Sequence, residues 1–198
     1  AYLAGRGAPV VPPSRRYPAG PHFHDGFAMT LWPNIEHEAL NYDDPGHLAV
    51  AAAALREVHE LFSGYPQALP RYDAKIAECR TSLADRSALP ALASADRDFL
   101  IRTHDRLVES LAAFEIKAVP IHGDAQPGNV FLTPEGALWS DFEAASLGPR
   151  EWDFCWLPGQ AIPDDVDRNL LAVLTDLHGL CVSVWCWALA HVPEKREA

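Results

Sequence analysis

Apolar side chains recur at steps of three and four residues in several stretches of the sequence, which is the spacing of an amphipathic helix. The first stretch begins at Asp44-Pro45, where the aspartate can cap a helix and the proline fits its first turn, and it stops at Ser63-Gly64. The second lies within residues 70–86 and predicts a shorter helix. Its apolar face comprises Ile76, Cys79 and Leu83.

Two further helices are predicted in the second half of the chain. One is expected to begin near Ser94, with Asp96 and Asp98 at the positive end of its dipole. Its predicted buried stripe is Phe99, Leu100, Thr103, Leu107, Leu111 and Phe114. From Asp164 onward the pattern predicts a long closing helix or helix pair that is mostly buried. Core positions are expected for Cys181, Val184, Trp185, Cys186 and Trp187, because free cysteine and tryptophan are usually buried.

Short apolar runs bounded by proline and glycine predict strands. Residues 1–33 contain Pro9-Val10-Val11-Pro12-Pro13 and a second run from Gly26 to Pro33, which predict two short strands joined by an irregular loop. Thr133-Pro134-Glu135-Gly136 suits a type I turn that would join flanking apolar triplets into a hairpin. The pattern as a whole predicts an α+β protein that is mainly helical.

Composition and charge limit the class of protein and its partners. The 198 residues are 48% hydrophobic and 22% charged, which is typical of a folded chain. The formal net charge of -11 repels phosphate backbones, so we expect no nucleic acid partner. The four cysteines show no paired spacing, and the longest apolar stretch, Gly179–Ala190, is too short to span a bilayer. We therefore expect a cytoplasmic protein without membrane contact.

Candidate chemistry concentrates on the predicted hairpin. Pairing outward from its turn sets Asn129 opposite Ser140, with Asp141 one step further along. Mg²⁺ prefers oxygen ligands and commonly takes only one or two of them from the protein, so Asn129 and Asp141 are candidate Mg²⁺ ligands. Asp124, in the glycine-bounded loop before the hairpin, is a candidate base for an alcohol that attacks a phosphoryl group.

Two segments carry a resemblance to a known family. His122-Gly123-Asp124 followed by Asn129, and then Asp141-Phe142-Glu143, resembles the catalytic and metal-binding segments of the aminoglycoside phosphotransferase and choline kinase-like family, relatives of the protein kinases. Protein kinases have arginine in place of Gly123 and glycine in place of Glu143, so this chain resembles the small-molecule kinases instead. Gln126 and Ala125 depart from the family pattern, which has histidine and a larger apolar residue more often.

The resemblance implies a protein kinase-like fold with a helical large lobe. Residues 1–33 would be a remnant of the small, nucleotide-binding lobe and the hinge, and residues 34–198 would form the large lobe with the catalytic and metal-binding loops. The implied activity is transfer of a phosphoryl group from ATP, with Mg²⁺, to a hydroxyl of a small molecule, aminoglycoside-like or another alcohol.

The resemblance also implies roles for particular residues. Asp124 would be catalytic, and Asn129 and Asp141 would hold Mg²⁺. The segment that would face adenine consists of Met29, Thr30, Leu31 and Trp32. His122 and Asp153 would support the site, and Glu143 would be either a further group near the metal or a surface carboxylate.

Parts of a kinase nucleotide site are not found in the sequence. Such an enzyme needs a glycine-containing phosphate loop and a strand lysine for the nucleotide phosphates. The segment Gly5–Val10 breaks the glycine pattern, and none of Lys75, Lys117 and Lys195 lies on an early strand. We therefore expect this chain to be an incomplete fragment whose own activity is impaired.

Other interpretations stay open at this point. The chain could be a non-catalytic, pseudokinase-like binding module. A metal-dependent hydrolase using His122, Asp124 and Asp141 is a weaker alternative. The acceptor could be cationic if acidic side chains surround it, although the same residues are more simply helix-start charges. They are Glu36, Glu38, Asp43, Asp44, Asp164 and Asp165.

Overall fold

The structure, a computed structural model, describes residues 1–189; the charged end of the chain and the last residue of the Gly179–Ala190 stretch lie outside the described residues. The helices are α1 (Pro45–Phe62), α2 (Asp73–Ala84), α3 (Ser94–Ser110) and α4 (Arg168–Leu189). The strands are β1 (His22–His24), β2 (Phe27–Met29), β3 (Val119–Ile121), β4 (Val130–Thr133), β5 (Gly136–Trp139) and β6 (Ser146–Gly148). Helices predominate and the strands are short, as the sequence predicts.

The first two helices follow their sequence patterns closely. The Asp44 carboxylate accepts hydrogen bonds from the backbone N–H groups of Gly46 at 2.8 Å and His47 at 3.4 Å, so this side chain caps α1 as predicted. Helix α2 buries the three predicted residues, Ile76, Cys79 and Leu83. Both predictions are confirmed because a cap and an apolar stripe are properties of the local sequence.

The buried face of α3 differs from the predicted stripe. Phe99 is 58% exposed, whereas Arg97 is 5% exposed. The Arg97 guanidinium donates hydrogen bonds to the carbonyl oxygens of Leu83 and Leu89, both at 2.7 Å. A stripe defined by hydrophobicity places arginine in solvent and therefore omits Arg97. In the structure Arg97 is buried because its guanidinium supplies hydrogen-bond donors to buried carbonyl groups of the preceding segment.

The end of α4 is also more exposed than predicted. Val184 is buried, but Trp185 is 61% and Trp187 is 41% exposed, and Cys186 is exposed as well. Successive helix positions are rotated by about 100°, so Trp185 and Cys186 point away from the core when Val184 faces it. Trp187 lies nearer the face of Val184 but close to the end of the helix, where it is only partly covered. The predicted core positions for Trp185, Cys186 and Trp187 are therefore wrong.

Helix α4 is longer than the apolar stretch considered in the sequence. Its 22 residues include a window with a mean hydropathy of 1.6, so its length and composition would suffice to cross a membrane. One third of that window is buried within the protein, and the helix packs against α2 and α3. Buried core helices can have the same length and composition, so this observation by itself assigns no membrane contact.

The strands form three two-stranded antiparallel sheets, β1 with β2, β3 with β6, and β4 with β5. The β4–β5 hairpin has the predicted register, with Thr133 opposite Gly136 and Val130 opposite Trp139. Of the two apolar runs near the N-terminus, the second contributes β2, whereas the first contributes only a bridge from Val10 to Trp139.

Two hydrophobic clusters meet at the segment that follows β3. The first cluster contains α1, the β4–β5 hairpin and buried residues near the N-terminus, and the second contains α2, α3 and α4. Ile121, at the end of β3, belongs to the second cluster, whereas Ala125 belongs to the first. The intervening residues 122–124 are therefore held between two packed cores.

Replacing Arg97 by methionine tests the buried face of α3. The Arg97→Met variant keeps a long side chain but leaves the carbonyls of Leu83 and Leu89 without their donors, so we expect its free energy of unfolding to fall by about 2–4 kcal/mol. Chemical denaturation measures this change. The exposed Arg102→Met variant on the same helix is the control, with an expected change below about 0.5 kcal/mol. Equal stability of the two variants would contradict this account.

Candidate active site

The loop after β3 is shaped by a glycine. Gly123 has a φ of +81°, and a Cβ atom at this position would collide with the carbonyl group of Ala144. Both observations exclude a larger residue there without movement of the backbone. The glycine that distinguishes this sequence from the protein-kinase pattern is therefore required by the path of the loop.

A buried carboxylate fixes that path. Asp153 is fully buried, and its two oxygens accept hydrogen bonds from the backbone N–H groups of His122 at 2.7 Å and Gly123 at 2.8 Å. The imidazole of His59, on α1, lies 2.7 Å from Asp153 Oδ2. Burial alone would raise the pKa of Asp153, but the hydrogen bond and charge of His59, with His122 and Gly123, hold it below its usual value.

His122 is fully buried and both of its ring nitrogens are occupied. Its Nε2 lies 2.7 Å from the carbonyl oxygen of Ser140, which can only accept, so Nε2 carries the proton. Its Nδ1 accepts a longer bond of 3.4 Å from the backbone N–H of Asp124. The ring also packs against Phe142, with 4.3 Å between the ring centroids. The residue braces the loop and has no free nitrogen for a metal ion, which removes the basis of the hydrolase alternative.

Asn129 joins the loop to the candidate base. Its side-chain amide Nδ2 donates to the backbone carbonyl of Asp124 at 2.8 Å and to Asp124 Oδ2 at 3.3 Å. Gln126 Nε2 lies 3.4 Å from the same carboxylate oxygen. These bonds turn the nitrogen of Asn129 toward Asp124, and within residues 1–189 its oxygen Oδ1 accepts no hydrogen bond.

The hairpin brings Asp141 to the same place in the fold. The backbone N–H of Ser140 donates to the carbonyl of Asn129 at 2.8 Å, which confirms the predicted pairing. Asp141 follows with a φ of +59°, a conformation that non-glycine residues seldom adopt, and its side chain is exposed. Such strained residues cluster at functional sites, where the surrounding structure holds them in place.

The donor set is compatible with a hard cation. The free oxygen of Asn129 and the exposed carboxylate of Asp141 are oxygen ligands of the type and number that Mg²⁺ commonly takes from a protein. The part of the chain that the structure describes contains no group of three or more histidine, cysteine, aspartate or glutamate side chains arranged around a metal position. This arrangement is unlike the sites that bind transition metals through protein ligands alone.

The remaining predicted site residues lie in different surroundings. The side chains of Met29, Leu31 and Trp32 are between 42% and 53% exposed, and Thr30 is exposed. Glu143 is exposed and lines a small cavity beside Gly123. Among the acidic residues considered for a cationic acceptor, Asp44 caps α1 and Asp165 pairs with Arg150 at 2.7 Å, so these two carboxylates are already engaged.

Three residues around the loop were not predicted as part of the site. His59 reaches Asp153, and Lys75, on α2, places its ammonium 3.5 Å from the carbonyl oxygen of Gly123. His178, on α4, packs edge-on against Trp152 and is largely buried. In the sequence, His59 and His178 are recognisable only as histidines on an apolar helix face. The sequence offered no such signal for Lys75.

Substitution of Asp153 tests its hold on the loop. In Asp153→Asn, an amide NH₂ group takes the place of one carboxylate oxygen. This donor faces a backbone N–H group, which thereby loses its acceptor. We therefore expect a loss of about 3 kcal/mol in the free energy of unfolding. Hydrogen exchange at the amides of His122 and Gly123 should accelerate as well. The exposed Asp164→Asn variant is the control, and unchanged protection of both amides in Asp153→Asn would refute the proposed anchor.

The buried histidine predicts a pH dependence of stability. Burial lowers the pKa of His178 below 6.5, with a further lowering by Lys75 and opposing effects of Asp124 and Asp153. As the pH falls below 6.5, His178 takes up a proton in the unfolded chain but not in the folded protein. The contribution of His178 to the free energy of unfolding is therefore complete above that pH and is lost progressively below it. Denaturation between pH 7.5 and 5.5 should show a smaller loss in His178→Gln than in the wild type. The exposed His24→Gln variant should retain the wild-type loss.

Comparison with solved structures places the fold. The choline kinase LicA from Streptococcus pneumoniae superposes with a TM-score of 0.71 at 17% identity, covering 98% of this chain and 71% of that one. APH(2")-IIia, solved with GDP and kanamycin, gives 0.69 at 18% identity, covering 97% and 73%. A choline/ethanolamine kinase family protein from Mesorhizobium loti gives 0.67 at 17% identity, covering 100% and 72%. At these identities the similarity establishes the kinase-like fold.

Comparison of sequences identifies the family. A search of curated proteins finds no match to this sequence. The sequence profile of the APH family, described as the phosphotransferase enzyme family, matches residues 1–191, which is nearly the whole chain. Together with the glycine-shaped loop and the kinase-like fold, this match shows that the chain belongs to the phosphotransferase enzyme family.

Proposed function

We propose that this protein transfers the γ-phosphoryl group of ATP to a hydroxyl of a small molecule in a Mg²⁺-dependent reaction. The observation that carries the proposal is the placement of the Asp124 carboxylate, partly exposed and hydrogen-bonded to Asn129, beside the hairpin end that presents Asp141. Membership in the phosphotransferase family and the kinase-like fold support the same activity.

Asp124 is the proposed catalytic base. Asn129 and Gln126 donate to its Oδ2, so Oδ1 is left to accept the proton of an acceptor hydroxyl. As the oxygen of the acceptor hydroxyl forms its bond to the γ-phosphorus, the bond between that phosphorus and ADP breaks. The hydroxyl proton passes to Asp124. The bond from Asn129 Nδ2 to the backbone carbonyl of Asp124 keeps this carboxylate in position during the reaction.

Asn129 and Asp141 are the proposed Mg²⁺ ligands. The hydrogen bond of Nδ2 to Asp124 directs the amide oxygen of Asn129 away from that residue, and the backbone of Asp141 presents its carboxylate to solvent. When bound, the metal ion neutralises charge on the nucleotide phosphates. Glu143, exposed two residues beyond Asp141, is a further carboxylate beside this site.

The proposed nucleotide contact is the segment from Met29 to Trp32, at the end of β2 and immediately after it. Its exposure leaves it accessible to a ligand, and the Trp32 indole nitrogen donates to the Thr30 hydroxyl at 3.0 Å. We assign residues 1–33 to the small lobe and hinge and the following residues to the large lobe. Leu3, Ala8 and Val10 nevertheless pack in the same core as α1, so the two parts share a hydrophobic cluster.

Mutation of the proposed base tests the activity. In full-length protein with ATP and Mg²⁺, Asp124→Asn should lower kcat for ADP formation by about 10²- to 10⁴-fold, because the variant cannot accept the hydroxyl proton. Nucleotide affinity, measured by calorimetry, should change by less than about threefold, because Asp124 is not assigned to nucleotide binding. Asp96→Asn, an exposed change on α3, is the control.

The same experiment separates the alternatives. Nucleotide binding without phosphoryl transfer to any acceptor would favour the binding-module interpretation. Turnover that is unaffected by Asp124→Asn would overturn the assignment of the base.

A further inference from the structure

A small cavity lies directly beside the candidate catalytic loop. It has a volume of about 140 Å³ and is lined in part by Lys75, Gly123, Glu143, Ser146 and Trp152. A water molecule occupies about 30 Å³ in the liquid, so the cavity has room for one carboxylate or phosphate group and is smaller than the sites that enclose whole ligands. It has the dimensions of a subsite for one part of an acceptor molecule.

The ammonium of Lys75 is not needed to satisfy the loop. Its Nζ lies 3.5 Å from the carbonyl oxygen of Gly123, but the indole Nε1 of Trp152 donates to that same oxygen at 3.2 Å. An ammonium group has three donors, so at least two remain for a ligand. The hydroxyl of Ser146 lines the same cavity and can supply one more.

The charge of Lys75 is also uncompensated by direct contact. Arg71, the other cation of the cavity, pairs with Asp73 at 2.7 Å through a two-pronged contact. Lys75 takes part in none of the ion pairs, defined by contacts within 4.0 Å, among residues 1–189. Glu143 lines the cavity as an exposed carboxylate, so the cavity presents one ammonium and one carboxylate that are free to meet a ligand.

The ammonium of Lys75 lies beside the backbone of the loop that carries the proposed base. Gly123, whose carbonyl it approaches, immediately precedes Asp124. Gly123 also lines the cavity, so an anionic group held there by Lys75 lies next to the residue that precedes the proposed base.

We infer that Lys75 binds a carboxylate or phosphate group of the acceptor alcohol and selects for acceptors that carry one. The inference rests on the proposed phosphotransferase function and names the substrate class of that site. An acceptor with a positively charged group at this position would face a like charge, whereas an anionic group gains a charge-assisted hydrogen bond. Lys75 is thus a specificity-determining residue contributed by α2.

Alcohols that share a hydroxymethyl group but differ in charge test the inference. Glycerate and serine carry a carboxylate, whereas glycerol and ethanolamine do not. A second set, glucuronate, glucose and glucosamine, shares ring hydroxyl groups instead and extends the comparison to larger acceptors. We expect the carboxylate-bearing alcohols to show a kcat/KM about 10- to 100-fold higher, with the difference mainly in KM, because a hydrogen bond to a charged group changes binding by that factor.

Variants of Lys75 test whether the positive charge of this residue causes the preference for carboxylate-bearing alcohols. Lys75→Met should remove the preference, Lys75→Arg should retain most of it, and Lys75→Glu should reverse it in favour of ethanolamine and glucosamine. The exposed Lys117→Met variant is the matched control and should behave as the wild type. Thermal unfolding of Lys75→Met close to that of the wild type would show that the loop does not depend on this side chain.

Binding measurements keep this inference separate from the proposed function. Calorimetry of the same alcohols, with ADP present in place of ATP, reports their Kd values without any turnover. A carboxylate preference in Kd that Lys75→Met abolishes supports the subsite even where no phosphoryl transfer occurs, in which case the proposed function fails and the subsite stands. A preference for neutral or cationic alcohols, or one that Lys75→Met leaves unchanged, overturns the inference.

Discussion

The buried carboxylate of Asp153 accepts the backbone N–H groups of His122 and Gly123, and the rest of the candidate site is positioned by these two hydrogen bonds. Burying a carboxylate is costly unless it is paired and hydrogen-bonded, and here His59 from α1 supplies the pairing. The arrangement ties α1, the segment after β6 and the loop after β3 together at one point. It fixes the backbone of the residue before Asp124, so that the proposed base needs few bonds of its own.

The two hydrophobic clusters explain why this loop can be rigid on one side and open on the other. Ile121 and Ala125 are buried in different clusters, and the segment between them carries a glycine that no larger residue could replace. Its backbone groups are satisfied from within by Asp153 and Trp152. The side chains of Asp124 and Asp141 are consequently free to face solvent, and the positive φ of Asp141 is maintained by the hairpin before it.

The candidate site contains one ammonium group among several carboxylates. A net charge of -11 favours cationic ligands over the surface at large. Beside Gly123, however, Lys75 brings an ammonium group without a carboxylate in contact, and the acidic residues Asp44 and Asp165 are engaged at a helix cap and an ion pair. Interactions between charges weaken beyond about 8–10 Å in physiological salt, so the nearest groups decide which ligand is bound.

The sequence by itself determined the features that depend on neighbouring residues. These are the α1 cap at Asp44, the apolar face of α2 and the hairpin register that sets Asn129 opposite Ser140. The same spacing singled out Asp124, Asn129 and Asp141. Tertiary structure alone decided that Arg97 is buried, that Trp185 is exposed, that His59 reaches Asp153 and that Lys75 reaches Gly123. Each of these depends on which elements pack against each other although they are tens of residues apart in the sequence. A local sequence pattern carries no information about such distant contacts.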